Sequence, residues 1–292
     1  MRKIITIAGL VVLILFAAIN WFKKQPGEAE LTDDVSSMTI AEKNKTQRFW
    51  EIYRKAGKQR LAGNLGEAYE SYQRALELNS DHENALYYFG SISFALDKFR
   101  EAEKAWKRLL RVNPTNSRAH YQLGDLYLNF KLEKFFDIDK AEAEYRSALK
   151  LNKEESRPHL RLGHVALING DLQLAGQHFD DVIGSNFKSV EAYFLKGYVA
   201  WREGNFGEAL TLLRNAKKHA KPLKPVQGVL GEGDTKPGGL LEQQQLSKRR
   251  SMFYPYFSDI SKLDESQISR ELLDERYRKL TAFLLEIRKR KR

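Results

Sequence analysis

The chain contains no cysteine, which removes disulfides, thiolate metal sites, a cysteine nucleophile and cysteine-linked lipid anchors together. Proline is scarce, seven in 292 residues, and three of the seven fall at Pro222, Pro225 and Pro237. Beyond residue 24 no long apolar run occurs, so a polytopic membrane protein is excluded. Catalytic signatures are missing as well: there is neither a G-x-S-x-G elbow nor an H-E-x-x-H pair. The glycine-rich stretch Gly228–Gly239 continues into Leu240 where a phosphate loop needs Lys and then Ser or Thr. Six histidines (His82, His120, His159, His164, His178, His219) lack metal-ligand spacing and are expected to pack between helices. Paired acids such as Glu154 and Glu155, or Asp180 and Asp181, are expected on solvated faces. No catalytic residue, metal or cofactor is expected, and the chain does not read as an enzyme.

What is present is uneven charge. The net charge is +11, yet residues 49–216 carry 24 basic against 23 acidic groups, while residues 217–292 carry 18 against 10. The middle is a balanced, solvated body and the basic character belongs to the C-terminal quarter, which ends in five cations, Arg288–Arg292. That tail has no interleaved aromatics, so nucleic acid is not an expected partner; a solubilising end is the plain reading. At the other terminus Arg2 and Lys3 precede an apolar run from Ile4 to Phe22, closed by Lys23 and Lys24. Nineteen helical residues span about 28 Å, enough for a hydrocarbon core, with Trp21 and Phe22 at the interface. Residues 1–24 are therefore expected to be an uncleaved signal anchor, followed by a tether over 25–48. The flanking cations place the N-terminus in the cytoplasm and the rest outside, by a margin of one charge; the alternative is a cytosolic body.

Between residues 49 and 223 the sequence repeats itself. Small residues Ala56, Gly90, Gly124, Gly163 and Gly197 recur at spacings of 34, 34, 39 and 34. Ala68, Ala102, Ala141, Ala175 and Ala209 form a second column, and Ala75, Leu109, Ala148, Val182 and Ala216 a third. A large apolar column runs through Tyr72, Trp106, Tyr145, Phe179 and Leu213. Each unit reads as two helices joined by a tight turn at Gly63-Asn64, Asp97-Lys98, Gly170-Asp171 or Gly204-Asn205. The five units are 49–82, 83–116, 117–155, 156–189 and 190–223, the third carrying five extra residues in the turn Lys131–Asp137. Small columns allow close helix approach and large ones fill the space between neighbours.

The stretches Ala68-Tyr72-Ala75, Ala102-Trp106-Leu109-Pro114, Ala141-Tyr145-Ala148 and Ala175-Phe179-Val182 resemble the closing half of the tetratricopeptide repeat. The closing Pro survives only at Pro114, and the opening Trp of the pattern is absent. The resemblance implies an all-α fold, a right-handed α-solenoid of about five helix pairs, flanked by the N-terminal transmembrane helix and a C-terminal amphipathic helix. After a Gly/Pro-rich loop at 224–239, residues 240–292 form the last helical segment. Ile268, Leu272, Leu273, Tyr277, Leu280, Leu284 and Ile287 follow a helical period there, with Asp264 as the expected N-cap. That helix is expected to cover the apolar face of the last repeat.

In such solenoids the first helix of each pair lines a concave groove. The corresponding residues here are Trp50, Tyr53, Tyr87, Phe94, Tyr121, Phe194, Tyr198 and Trp201, with Arg60, Arg118 and Arg157. Aromatics and arginines dominate interface energetics, so these are the candidate partner-binding residues, a third or more of the aromatics being expected to pack between helices instead. Tyr53 and Gly57 stand where a clamp for chaperone tails needs Lys and Asn, which argues against that ligand class. The reading is a membrane-tethered scaffold that binds a protein or peptide, in layout similar to bacterial anchored repeat proteins of envelope assembly or maturation. A cytosol-facing receptor for targeting peptides and a regulatory subunit of an enzyme complex are the alternatives.

Overall fold

The computed structural model describes residues 39–153, 155–220 and 251–290, which form eleven α-helices, three short 3-10 turns and no strand. The expected apolar span Ile4–Phe22, most of the tether and the Gly/Pro-rich loop lie outside the described residues. No helix among the described residues is long and apolar enough to cross a membrane.

The chain divides into two units, Met1–Phe49 and Trp50–Arg292. In the first, Thr39 and Glu42 open a helix reciprocally: the Thr39 N–H donates to Glu42 Oε2 at 2.8 Å and the Glu42 N–H to Thr39 Oγ1 at 3.2 Å. This box satisfies two of the N–H groups that a helix start leaves orphaned. It also corrects the expected tether, because helix α1 (Ile40–Leu61) has already begun nine residues before its end.

The second unit continues with α2 (Leu65–Leu78), α3 (Glu83–Ala95), α4 (Phe99–Val112), α5 (Ser117–Tyr127), α6 (Ile138–Leu151), α7 (Ser156–Asn169), α8 (Leu172–Ser185), α9 (Val190–Arg202) and α10 (Phe206–His219). The turns inside the first, second, fourth and fifth pairs each hold a left-handed residue: Gly63 (φ 86°), Asp97 (62°), Gly170 (90°) and Gly204 (83°). Only at Asp97 does an L side chain occupy that region, at a cost glycine avoids. The third pair instead uses its longer turn, and Asp137 closes it by accepting from the Lys140 N–H at 3.0 Å as the N-cap of α6.

Every alanine of the second column is fully buried, as are Trp106, Tyr145, Phe179 and Leu213 of the large column. The glycines show why small residues are needed. A Cβ at Gly90 would lie 2.5 Å from the Trp106 ring, and one at Gly124 2.5 Å from the Tyr145 ring. Burying each such ring contributes about 1.5–3 kcal/mol, and a methyl group in its place displaces it.

After α10 the described chain resumes at Ser251, passes through 3-10 turns at Tyr254–Tyr256, Ile260–Lys262 and Glu265–Gln267, and enters α11 (Arg270–Arg290). Asp264, expected to cap this helix, caps the third turn in a box with Gln267. Ser269 takes the helix start, its hydroxyl accepting from the Leu272 N–H at 3.3 Å. Leu273, Tyr277, Leu280, Leu284 and Ile287 are all buried. The helix packs on α9 and α10, the end of the solenoid, and extends along α7 as well.

Candidate functional site

The face carried by the first helices, α1, α3, α5, α7 and α9, holds the candidate residues, and the structure treats its two ends differently. Toward the N-terminal end, rings and cations alternate. Arg60 lies 4.3 Å from the Tyr88 ring centroid, Arg118 4.5 Å from Tyr87 and Arg157 4.9 Å from Tyr121. Tyr87 and Tyr121 hold the same place in successive units, and each receives the arginine of the following first helix. Arg118 and Arg157 are exposed, so each contact is worth about 0.5–1 kcal/mol and leaves most of the cation in water. Arg157 also pairs with Glu155, and Trp50 sits edge-on to Tyr53 and His82.

Beneath these rings runs a row of buried polar groups that the sequence reading missed. Gln122 Nε2 donates to the Tyr87 hydroxyl at 3.2 Å. Asp125 Oδ1 accepts from the Tyr145 hydroxyl and from Arg161 Nε, both at 2.8 Å. Arg161 reaches toward His164 Nδ1 at 3.5 Å, and His164 Nε2 lies 3.0 Å from Glu191 Oε1. Burial pushes the Tyr121 phenol up to about 12 and holds the His164 imidazole below its ordinary range. Tyr121 therefore stays neutral at any physiological pH and His164 favours its neutral form. Buried charges persist only when paired, and here Arg161 pairs with Asp125 while Glu191 lies beside His164.

A cavity of about 580 Å³ opens beside this row. Its lining includes the apolar Phe94 and Phe99, the polar Gln122, Asp125 and Arg161, and Met252, Tyr254, Tyr256 and Phe283 of the C-terminal segment. Its size and mixed lining match a pocket for an apolar group with a few orienting polar contacts.

The C-terminal end of the same face is closed by the chain itself. The Tyr277 hydroxyl donates to the Phe194 carbonyl at 3.1 Å, Trp201 Nε1 to Asp274 at 2.6 Å, and Tyr198 meets Thr281 at 3.2 Å. Phe253 packs edge-on to His164 with centroids 4.8 Å apart. Arg288, expected in a solvated tail, donates to the carbonyls of Ile168 at 2.5 Å and Leu167 at 2.8 Å, satisfying the last-turn oxygens of α7.

The candidate residues thus separate. Trp50, Tyr53, Arg60, Tyr87, Phe94, Arg118 and Arg157 are at least partly exposed. Tyr121 is buried at its ring, Trp201 is half-covered, and Phe194 and Tyr198 are sealed beneath α11, which corrects their placement in an open lining. Asp125 and Arg161 could have been found by looking four places beyond Tyr121 and Arg157 on the same helix face. The C-terminal residues that line the cavity carried no such signal, since helical period marks an apolar face without saying what it meets. The structure also groups His159, His178 and Asp181 across α7 and α8, outside this site.

Comparison with known proteins agrees with this architecture. The tetratricopeptide repeat family matches residues 60–126 and, through a second profile, residues 137–186. A crystal structure of MamA protein superposes with a TM-score of 0.52 at 20% identity, covering 62% of this chain and 98% of that one. MamA 41-end from Desulfovibrio magneticus RS-1 gives 0.50 at 14% identity, covering 63% and 97%. At those identities the likeness is one of fold. No curated protein sequence matches the chain. Over those residues the molecule carries tetratricopeptide repeats, and the described residues form an all-helical solenoid.

Proposed function

We propose that the chain binds an extended segment of a partner protein along the first-helix face of its second and third units, as far as Arg157 at the start of the fourth. An aliphatic or aromatic side chain of that segment enters the cavity beside Phe94, and acidic groups flanking it meet Arg118 and Arg157. The cavity carries the reading, because it brings apolar side chains, polar groups and solvent access together. The apolar run Ile4–Phe22 supports membrane tethering of this scaffold, with the repeats outside the cytoplasm and a role in envelope assembly or maturation.

Random displayed peptides selected on the full-length protein test the binding mode. Enriched sequences should share one large apolar residue beside Asp or Glu, and Asn129→Trp, a bulky substitution at a residue that lines the cavity, should abolish their binding with the thermal midpoint preserved. Enriched peptides that bind Asn129→Trp undiminished would place the site elsewhere. Tethering is tested separately by alkaline carbonate extraction, which should leave the full chain in the membrane pellet and release a variant lacking residues 1–24.

A further inference from the structure

In the third unit, His120 of α5 has an ordinary partner: its Nδ1 lies 2.6 Å from Glu144 on α6. The fourth unit repeats this geometry with different chemistry. His159 of α7 stands where His120 does, His178 of α8 replaces Glu144, and Asp181 replaces Ser147. The two imidazoles turn the same nitrogen toward each other, Nδ1 to Nδ1 at 3.3 Å. Asp181 Oδ2 lies 3.1 Å from His159 Nδ1 and 3.9 Å from His178 Nδ1. Three donor atoms on two helices thus converge on one point.

We infer that His159, His178 and Asp181 form a binding site for a divalent metal of zinc's type, bridging the two helices of the fourth unit. Zn–N and Zn–O bonds of about 2.0–2.2 Å in a tetrahedral arrangement separate ligand atoms by about 3.3–3.5 Å, close to the spacings observed. Two imidazoles and a carboxylate suit zinc in ligand hardness. His178 and Asp181 are one helical turn apart on α8, so they chelate from one face. Both histidines are largely buried, whereas the Asp181 side chain is 54% exposed. The fourth coordination position therefore opens to water or to a partner's ligand. The nearby cation Arg146 is neutralised by Glu142 at 2.7 Å. Nε2 of His178 is buried with no acceptor, so the site lacks one outer-shell support and binds more weakly than a four-ligand structural site.

The test is titration of the full-length protein with Zn²⁺ by calorimetry, with Co²⁺ as the spectroscopic probe of coordination. One equivalent of Zn²⁺ should bind, Co²⁺ should give a tetrahedral visible spectrum, and saturating Zn²⁺ should raise the thermal midpoint by several degrees. Asp181→Asn and His159→Gln should each weaken Zn²⁺ binding at least about tenfold and remove the Co²⁺ spectrum. His120→Gln should change neither. Because Asp181 is exposed, its variant keeps the fold and decides the matter even where His159→Gln does not fold. Absence of Zn²⁺ binding to the parent protein, or binding undiminished in Asp181→Asn, overturns the site.

Discussion

Two ends of one helical face are built from the same repeat and end up in opposite states. In the second, third and fourth units the space over the first-helix glycine is filled by the ring of the second helix: Trp106 over Gly90, Tyr145 over Gly124, Phe179 over Gly163. In the fifth unit that position holds Leu213, and the group over Gly197 is the hydroxyl of Tyr277, supplied from α11. The terminal helix is thus a replacement part for a missing aromatic as well as a cover. Having entered at the fifth unit, it continues along α7, while among the described residues Tyr87 on α3 and Arg118 on α5 keep part of their surface in solvent. One face thus becomes core at its C-terminal end, where Leu213 in the ring position leaves the space over Gly197 to a side chain of α11.

The sharpest way to break this comparison is Tyr277→Ala. It removes a fully buried ring and the hydroxyl that bonds the Phe194 carbonyl, and should cost about 3–5 kcal/mol, with a fall of the thermal midpoint to match. Phe194 and Tyr198 would then be wetted, so binding of a hydrophobic dye should rise. If the midpoint hardly moves, α11 is an appendage and the fifth unit closes by itself.

A second test separates ring from hydroxyl. A Cβ at Gly197 would lie 2.5 Å from the Tyr277 hydroxyl but no closer than 3.4 Å to any other group. Gly197→Ala should therefore destabilise by about 1–3 kcal/mol, and Tyr277→Phe should recover much of that loss. Gly124→Ala, which meets the Tyr145 ring atoms, should gain nothing from Tyr145→Phe. Additive free energies in the first pair would mean that α11 does not occupy the site over Gly197.

The repeat end of this architecture was legible because its constraints are local and periodic. Small columns every 34 or 39 residues mark close approach, and Gly63, Gly170 and Gly204 mark left-handed turns whose φ values match. Asp97 was readable as a turn from its place in the period. The covered end was less legible. The spacing of Leu273, Tyr277, Leu280, Leu284 and Ile287 declares an apolar face, yet α9 and α7 are contacted from about 80 to 120 residues away, as with Tyr277 to Phe194 and Arg288 to Ile168. Long-range pairing of that kind leaves no period. The buried row Asp125, Arg161, His164 and Glu191 escaped for the same reason: each charge looks solvated until its partner, a repeat away, is in place.

Histidine titration reads the two ends with opposite signs. His120, at the open end, is raised mainly by its hydrogen bond to Glu144, so its contribution is full below the ordinary histidine value near 6.5 and is lost as pH rises through the higher folded value. His164, beneath the cover, is lowered mainly by burial, with Arg161 lowering and Glu191 and Asp125 raising it. Its contribution is full above about 6.5 and is lost as pH falls through the depressed folded value. Ring-proton shifts followed by NMR should place the His120 midpoint above, and the His164 midpoint below, that of a model histidine. Coincident midpoints would remove the distinction between the two environments.

The smallest expected change in stability belongs to the cations of the open end. Arg118 and Arg157 lie over Tyr87 and Tyr121 but are largely in water, and Arg118 adds only a 3.5 Å contact to Asn84. Replacing either by Ala should cost no more than about 0.5–1 kcal/mol of folding free energy. Binding should respond differently, because an arginine that is an interface anchor typically contributes about 2 kcal/mol or more, near thirtyfold in affinity. Fluorescence titration of a selected acidic-apolar peptide, alongside thermal unfolding, distinguishes the outcomes for Arg118→Ala, Arg157→Ala and the covered-end control Arg202→Ala. Loss of affinity in the first two with unchanged midpoints places recognition on the open end. Equal loss in all three would mean that the peptide responds to net charge alone, and an unchanged affinity would mean that the rings, without their cations, define the surface.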